Sequence, residues 1–133
     1  MIGVIADTHA ALWYTQNSPL LSNVAADAMD AVVLHGDSIG VSVISLVEIV
    51  YLVEKNRLSP QAFATLKSAL LSESTGLVVA PIDIAVVDSL GSIARNDVPD
   101  MPDRIIAATA RALGVPLVTR DYRITTSGVE VIW

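Results

Sequence analysis

No cysteine occurs among the 133 residues, which removes disulfides, zinc–thiolate sites and thiol nucleophiles and fits a reducing cytoplasm. Aromatic side chains make up only 5% of the chain, so any core must be aliphatic. Lysine appears only at Lys55 and Lys67. No glycine-rich phosphate loop is present, which disfavours P-loop and dinucleotide-binding folds, and no Ser-His-Asp arrangement is recognisable. Long hydrophobic runs are also missing. The most apolar stretch, Val41 to Val53, is short and carries Glu48, and the opening Met-Ile-Gly lacks a basic n-region. Neither a membrane span nor a signal peptide is expected, and the sequence reads as a soluble protein.

What is present is aliphatic. Hydrophobic residues reach 53%, and a chain of this length is expected to form one domain, residues 1–133, that buries roughly two thirds of its unfolded surface. Ile2 to Ala6 reads as a buried parallel strand, followed by a short helix from about Thr8 to Tyr14. Ser22 is an N-cap for a helix carrying Val24, Ala25, Ala28, Met29 and Val32, broken by His35-Gly-Asp-Ser38. Ile39 to Ile44 forms a second strand, after which Ser45 caps a helix with Ile49, Leu52 and Val53 on one face. Ser59-Pro60, cap then proline, starts another through Phe63, Leu66, Leu70 and Leu71. Leu77 to Ala80 is a third strand, and Asp83 opens a helix bearing Val86, Val87, Leu90 and Ile93. After a proline-containing loop from Asn96 to Pro102, an alanine-rich helix runs from Asp103 to Leu113 and stops at Gly114. Val115 to Thr119 and Val129 to Trp133 complete the strands. This alternation predicts an α/β fold, a three-layer α/β/α sandwich with a mostly parallel sheet of four to five strands. Ligands on such sheets bind at the carboxyl ends of the strands.

Four acids, Asp7, Glu48, Asp103 and Asp121, fall at strand ends or in first turns of helices, beside apolar runs. Two carboxylates about 4 Å apart repel by roughly 4 kcal/mol at an effective dielectric near 20, so a pocket of four needs a cation. Oxygen ligands of this kind select Mg²⁺ or Mn²⁺. Each acid also has an ordinary explanation. Ser45-x-x-Glu48 is a capping box. Asp100 and Asp103 share that spacing at a helix start, where an acid gains roughly 0.3–1 kcal/mol from the macrodipole. Asp7 could cap the helix after it, and Asp121 could sit in a turn. None of these explains why all four fall at element ends along one edge.

Several neighbours are candidates for lesser roles. Asp100 reads as the N-cap of the helix holding Asp103, with an auxiliary ligand as the alternative. Thr119 is an ordinary strand-end threonine that could also hydrogen-bond a carboxylate or a water on the metal. Arg104, Arg120 and Arg123 flank site acids and could hold substrate phosphate bidentately or pair with those acids. His9, two residues beyond Asp7, could touch substrate, but packing or solvation is the expectation. Trp13 and Trp133 are assigned to the core or to an interface rather than to base stacking. The formal charge of −6 opposes nucleic-acid binding. Setting the four acids aside leaves ten against eight bases, so binding of RNA would depend on the metal and on locally clustered arginines.

The segments Ile5-Ala-Asp7-Thr-His-Ala-Ala-Leu-Trp13, Ser45-Leu-Val-Glu48-Ile, Met101-Pro-Asp103-Arg-Ile-Ile-Ala-Ala-Thr-Ala110 and Leu117-Val-Thr-Arg-Asp121-Tyr-Arg-Ile together resemble the PIN domain, in particular the VapC-like toxins of bacterial toxin–antitoxin pairs. The likeness runs from the first strand to the last. The Asp-Thr-His opening and the block from Asp100 to Ile124 carry most of it. The resemblance implies that Asp7, Glu48, Asp103 and Asp121 are the catalytic quartet, with Asp7, Asp103 and Asp121 on Mg²⁺ (Mn²⁺ substituting). It also implies an RNA phosphodiester as substrate, a tRNA or ribosomal RNA as target, a small antitoxin as inhibitor and a homodimer. The alternatives are a stand-alone PIN nuclease in RNA processing and a non-catalytic α/β binding module. A phosphoryl-transfer receiver fits less well, since Asp7 stands alone and no lysine follows the last strand. An aspartyl-phosphate phosphatase wants a second acid where His9 stands.

Overall fold

In a computed structural model describing residues 1–133, five strands form one all-parallel sheet with helices on both faces. The strands are β1 (Ile2–Ala6), β2 (Ser38–Ser42), β3 (Leu77–Ala80), β4 (Leu117–Val118) and β5 (Val131–Ile132). Their order across the sheet is β3-β2-β1-β4-β5. Successive strands therefore step one way from β1 and the other way from β4, which makes the carboxyl ends of β1 and β4 the switch point where a crevice opens. The expected α/β sandwich is present, and the sheet has no antiparallel member.

The helices are α1 (Thr8–Thr15), α2 (Asn23–Leu34), α3 (Val43–Glu54), α4 (Pro60–Leu71), α5 (Ile84–Gly91) and α6 (Met101–Leu113), with a 3₁₀ turn at Tyr122–Ser127. Strand side chains alternate between two aliphatic cores, as a period of two requires. Val4, Ala6, Ile39, Val41 and Val118 point to one face, under Met29 of α2 and Leu66 of α4. Ile5 and Leu117 point to the other, under Ile106, Ala107 and Ala110 of α6. The small residues of α6 let it lie close to β1. None of the helices is long and apolar enough to cross a membrane.

Most helix starts follow local chemistry. Ser22, Ser59 and Asp83 each accept a hydrogen bond from an amide in the first turn, satisfying donors that a helix leaves unpaired. Gly114, at φ 67°, closes α6 in the left-handed conformation that glycine adopts without strain. Three boundaries differ from expectation. β2 stops at Ser42, and it is Ser42, accepting from the Ile44 amide, that caps α3. Ser45 is instead buried inside the helix, so there is no Ser45–Glu48 capping box. α6 starts two residues early, at Met101, with Pro102 in its first turn, where a missing N–H costs nothing. β4 and β5 are only two residues each, shorter than the apolar runs around them.

Candidate active site

Asp7, Glu48, Asp103 and Asp121 all line one cavity of about 390 Å³ at the carboxyl edge of the sheet. Four different elements deliver them. Asp7 follows β1, its amide donating to Val118 O of β4 at 3.0 Å and its Oδ1 accepting from the Ala10 amide at 2.8 Å as the cap of α1. Glu48 projects from α3. The Thr8 hydroxyl lies 2.6 Å from Glu48 Oε1 and 3.0 Å from Ser45 Oγ; its single proton goes to the carboxylate, and the buried Ser45 hydroxyl completes the chain. The glutamate is thus held by the first turn of α1. Asp103 sits in the first turn of α6, capped by Asp100, whose Oδ2 accepts from the Asp103 amide at 3.2 Å. Asp121 caps the 3₁₀ turn, with Arg123 donating from its backbone amide, Nε and Nη2, each at 3.0 Å.

The surroundings push two of these acids up and one down. Asp103 is pushed up to about 7, first by burial and then by the charges of Asp100, Glu48, Asp7 and Asp121 in that order. Asp7 is raised chiefly by burial, while the Thr119 hydroxyl, the Ala10 amide and His9 pull it back and Glu48 pushes it further up. Asp121 goes the other way, held below the usual carboxylate range by its hydrogen bonds to Arg123. That pair is at the surface, with the Arg123 side chain 78% exposed, where solvent screening leaves an ion pair weak. Arg123 is therefore free to exchange partners.

No three of the carboxylates stand close enough to ligate one ion as the side chains lie. The reason is visible in the bonds just described: Asp7, Glu48 and Asp121 are each turned toward a protein donor. The donor set nonetheless fits a hard divalent cation. It is all oxygen, as Mg²⁺ and Mn²⁺ prefer, and a carboxyl raised to about 7 by burial and, after that, by four neighbouring acids would gain from a cation beside it.

The other candidates divide. Asp100, Thr119, Arg120 and Arg123 line the cavity. Thr119 is fully buried and its Oγ1 accepts from the Asp121 amide at 3.1 Å, so it fixes the loop between the two acids. Arg104 does not face the cavity, contrary to expectation. Its Nε and Nη2 donate to Ile93 O, and Nη2 also to Leu90 O. One position along a helix turns a side chain by about 100°, and that rotation carries Arg104 away from Asp103 to the carbonyls at the end of α5. The aromatics sit as expected and also reach the cavity. Trp13 and Trp133 do pack partly against the core, yet both also line the cavity beside the acids. His9 is exposed there too, tilted against Trp13 at 5.4 Å between ring centroids. Thr8 went unnoticed in the sequence because its partner Glu48 is 40 residues away.

Carboxylates gathered at the switch point of a parallel sheet define a class of α/β protein whose chemistry is carried by acids rather than by a nucleophilic serine or cysteine. The family model of the PIN domain matches residues 4–127, and the chain belongs to the PIN-domain family, in its VapC-like branch. It is 30% identical over 124 residues to Ribonuclease VapC22 of Mycobacterium tuberculosis, covering 93% of this chain and 91% of that one. Among solved structures, VapBC2 from Rickettsia felis, bound to a DNA fragment from its promoter, superposes with a TM-score of 0.71 at 18% identity, covering 98% and 97% of the two chains. VapC20 of M. tuberculosis, a Sarcin-Ricin loop cleaving toxin, gives 0.65 at 16% identity over 96% of each.

Proposed function

We propose that this chain is a metal-dependent endoribonuclease and the toxin of a toxin–antitoxin pair. The observation that carries the reading is the arrival of four acids from four elements in one cavity, with Asp103 raised to about 7 by burial and then by its acidic neighbours. Asp7, Asp103 and Asp121 would hold Mg²⁺ or Mn²⁺, which supplies an acidified water and neutralises charge growing on the phosphate. The chain's own groups do the rest. Glu48, fixed by Thr8, accepts a proton at the cavity's inner wall. Arg123 leaves Asp121 for a phosphate oxygen, and Arg120 stands beside it as a second cation. Attack by water in line with the leaving oxygen gives 5′-phosphate and 3′-hydroxyl ends.

A structured RNA with an unpaired loop, of the tRNA or ribosomal kind, is the target class this reading favours, and it agrees with the loop named for VapC20. The partner would be a small antitoxin that places an arginine or lysine among the carboxylates, competing with the cation; a net charge of −6 suits it. A homodimer is supported by apolar surface left exposed on α3 (Val47, Val50, Tyr51) and α5 (Ile84, Val87). The test is cleavage of total RNA by the purified chain in Mg²⁺ or Mn²⁺, with end mapping of the products. Activity that disappears in EDTA and in Asp7→Asn supports the reading. Activity that survives either one sinks it.

A further inference from the structure

Beside the carboxylates the cavity has a wall of different chemistry. His9 and Trp13, one helical turn apart on α1, meet at 5.4 Å between centroids with a 45° tilt. Trp13 and Trp133 meet at 5.9 Å and 58°. The Arg120 guanidinium stands 5.1 Å from the Trp13 ring centroid. All four residues line the cavity that holds the acids. In a chain with only two tryptophans, both are spent on this wall, and hydrolysis of a phosphodiester by acids and a cation has no use for either. Packing alone does not require them, since each is only half-buried against an otherwise aliphatic core.

We propose that His9, Trp13, Trp133 and Arg120 form a nucleobase subsite that stacks one unpaired base of the RNA next to the phosphate being cleaved. Its position next to the cut rests on the ribonuclease reading above. The wall offers ring faces and a planar guanidinium, the two surfaces on which splayed-out bases stack. Trp13 is the backing plate, fixed by the core beneath and by contacts with the other three. Trp133 and the exposed His9 and Arg120 present the surface the base would touch. Trp13 lies six residues beyond Asp7 along α1, about 9 Å of helix rise, a gap that one nucleotide can bridge between its phosphate and its base. Bases inside a duplex are already stacked, so the subsite selects single-stranded or loop RNA. Stacking tolerates any base, and removing one such contact weakens binding by roughly 5- to 100-fold.

The Asp103→Asn chain, in which cleavage is disabled, is titrated with a short unpaired oligoribonucleotide and with versions carrying one abasic position moved along it. Intrinsic tryptophan fluorescence, which comes from Trp13 and Trp133 alone, reports binding. The expected result is quenching on binding and a loss of affinity of roughly 5- to 100-fold at one abasic position, whatever base it replaces. Trp133→Ala should produce the same loss and make that abasic position silent, Trp133→Phe should keep most of the affinity, and His9→Ala, at an exposed position, should lose a few-fold. In the otherwise native chain with Mg²⁺ the same substitutions should raise KM more than they lower kcat. A fluorescence that does not respond, an affinity equally sensitive to every abasic position, or Trp133→Phe as weak as Trp133→Ala overturns the subsite. Quenching with a single sensitive position in a native chain that cuts no RNA leaves the base subsite standing and removes the nuclease reading instead.

Discussion

The two cores beneath the sheet and the crevice at its carboxyl edge are built from the same elements to opposite rules. On both faces of the sheet the packing is mainly aliphatic, with Ile5, Ile39 and Leu117 fully buried. In the crevice, five carboxylates, Asp7, Glu48, Asp100, Asp103 and Asp121, face two guanidiniums, and burial and like charge together hold Asp103 near 7. The difference teaches where the fold stores its tension. The body supplies the stability that lets the edge remain unfavourable.

Substitutions in the two regions should therefore move stability and activity apart. Ile106→Ala, at a site 1% exposed under β1, should lower unfolding free energy by about 2–5 kcal/mol in urea titrations while the remaining folded protein cuts RNA normally. Asp7→Asn should do the reverse, lowering kcat about 10²–10³-fold, the loss expected when several kcal/mol of transition-state charge stabilisation goes, with the melting temperature preserved or raised. The next contrast is between two arginines that the sequence places alike. Arg104→Ala deletes three hydrogen bonds to Leu90 and Ile93 carbonyls and should destabilise the protein by about 1–3 kcal/mol with KM for RNA little changed. Arg123→Ala should leave the urea midpoint nearly unchanged, since a solvent-screened pair holds little stability, and raise KM.

The same contrast has a slope with pH. Asp103 titrates at about 7 in the folded protein against an ordinary 3.8, so between those values the folded state binds more protons than the unfolded one. Metal-free stability must then fall as pH rises from about 4 to about 7. Asp103→Asn should flatten that slope and be the more stable protein at pH 7. An unchanged slope in the variant would mean that the crevice is not where the repulsion resides.

How much of this could be read in the sequence follows the same division. Helix starts and stops at Ser22, Ser59, Asp83, Asp100 and Gly114 were legible because capping is decided within three or four residues. The Ser45-x-x-Glu48 box misled because the same local signal lay at a helix that had already begun at Val43, and tertiary contact with Thr8 fixed the glutamate elsewhere. Asp7, Asp103 and Asp121 were legible because each stands at an element end, whereas Glu48 lies in the second turn of α3. Arg104 was misplaced because neighbours in sequence are not neighbours around a helix. The aromatic wall was hidden by distance: Trp133 reaches Trp13 only because β5 lies beside β4, and β4 beside β1. Strand order is not a local property, and nothing near Trp133 in the sequence announces it.

The central claim is that the acids of the crevice act together as one cation site. Thermal melts of the wild-type chain and of Asp103→Asn, each titrated with Mn²⁺ at pH 7, test it most directly. The account predicts a wild-type melting temperature that climbs with Mn²⁺ and levels off over the concentrations that restore RNA cleavage, and a variant that starts higher and barely responds. Equal shifts in the two proteins, or no shift in either, would contradict it.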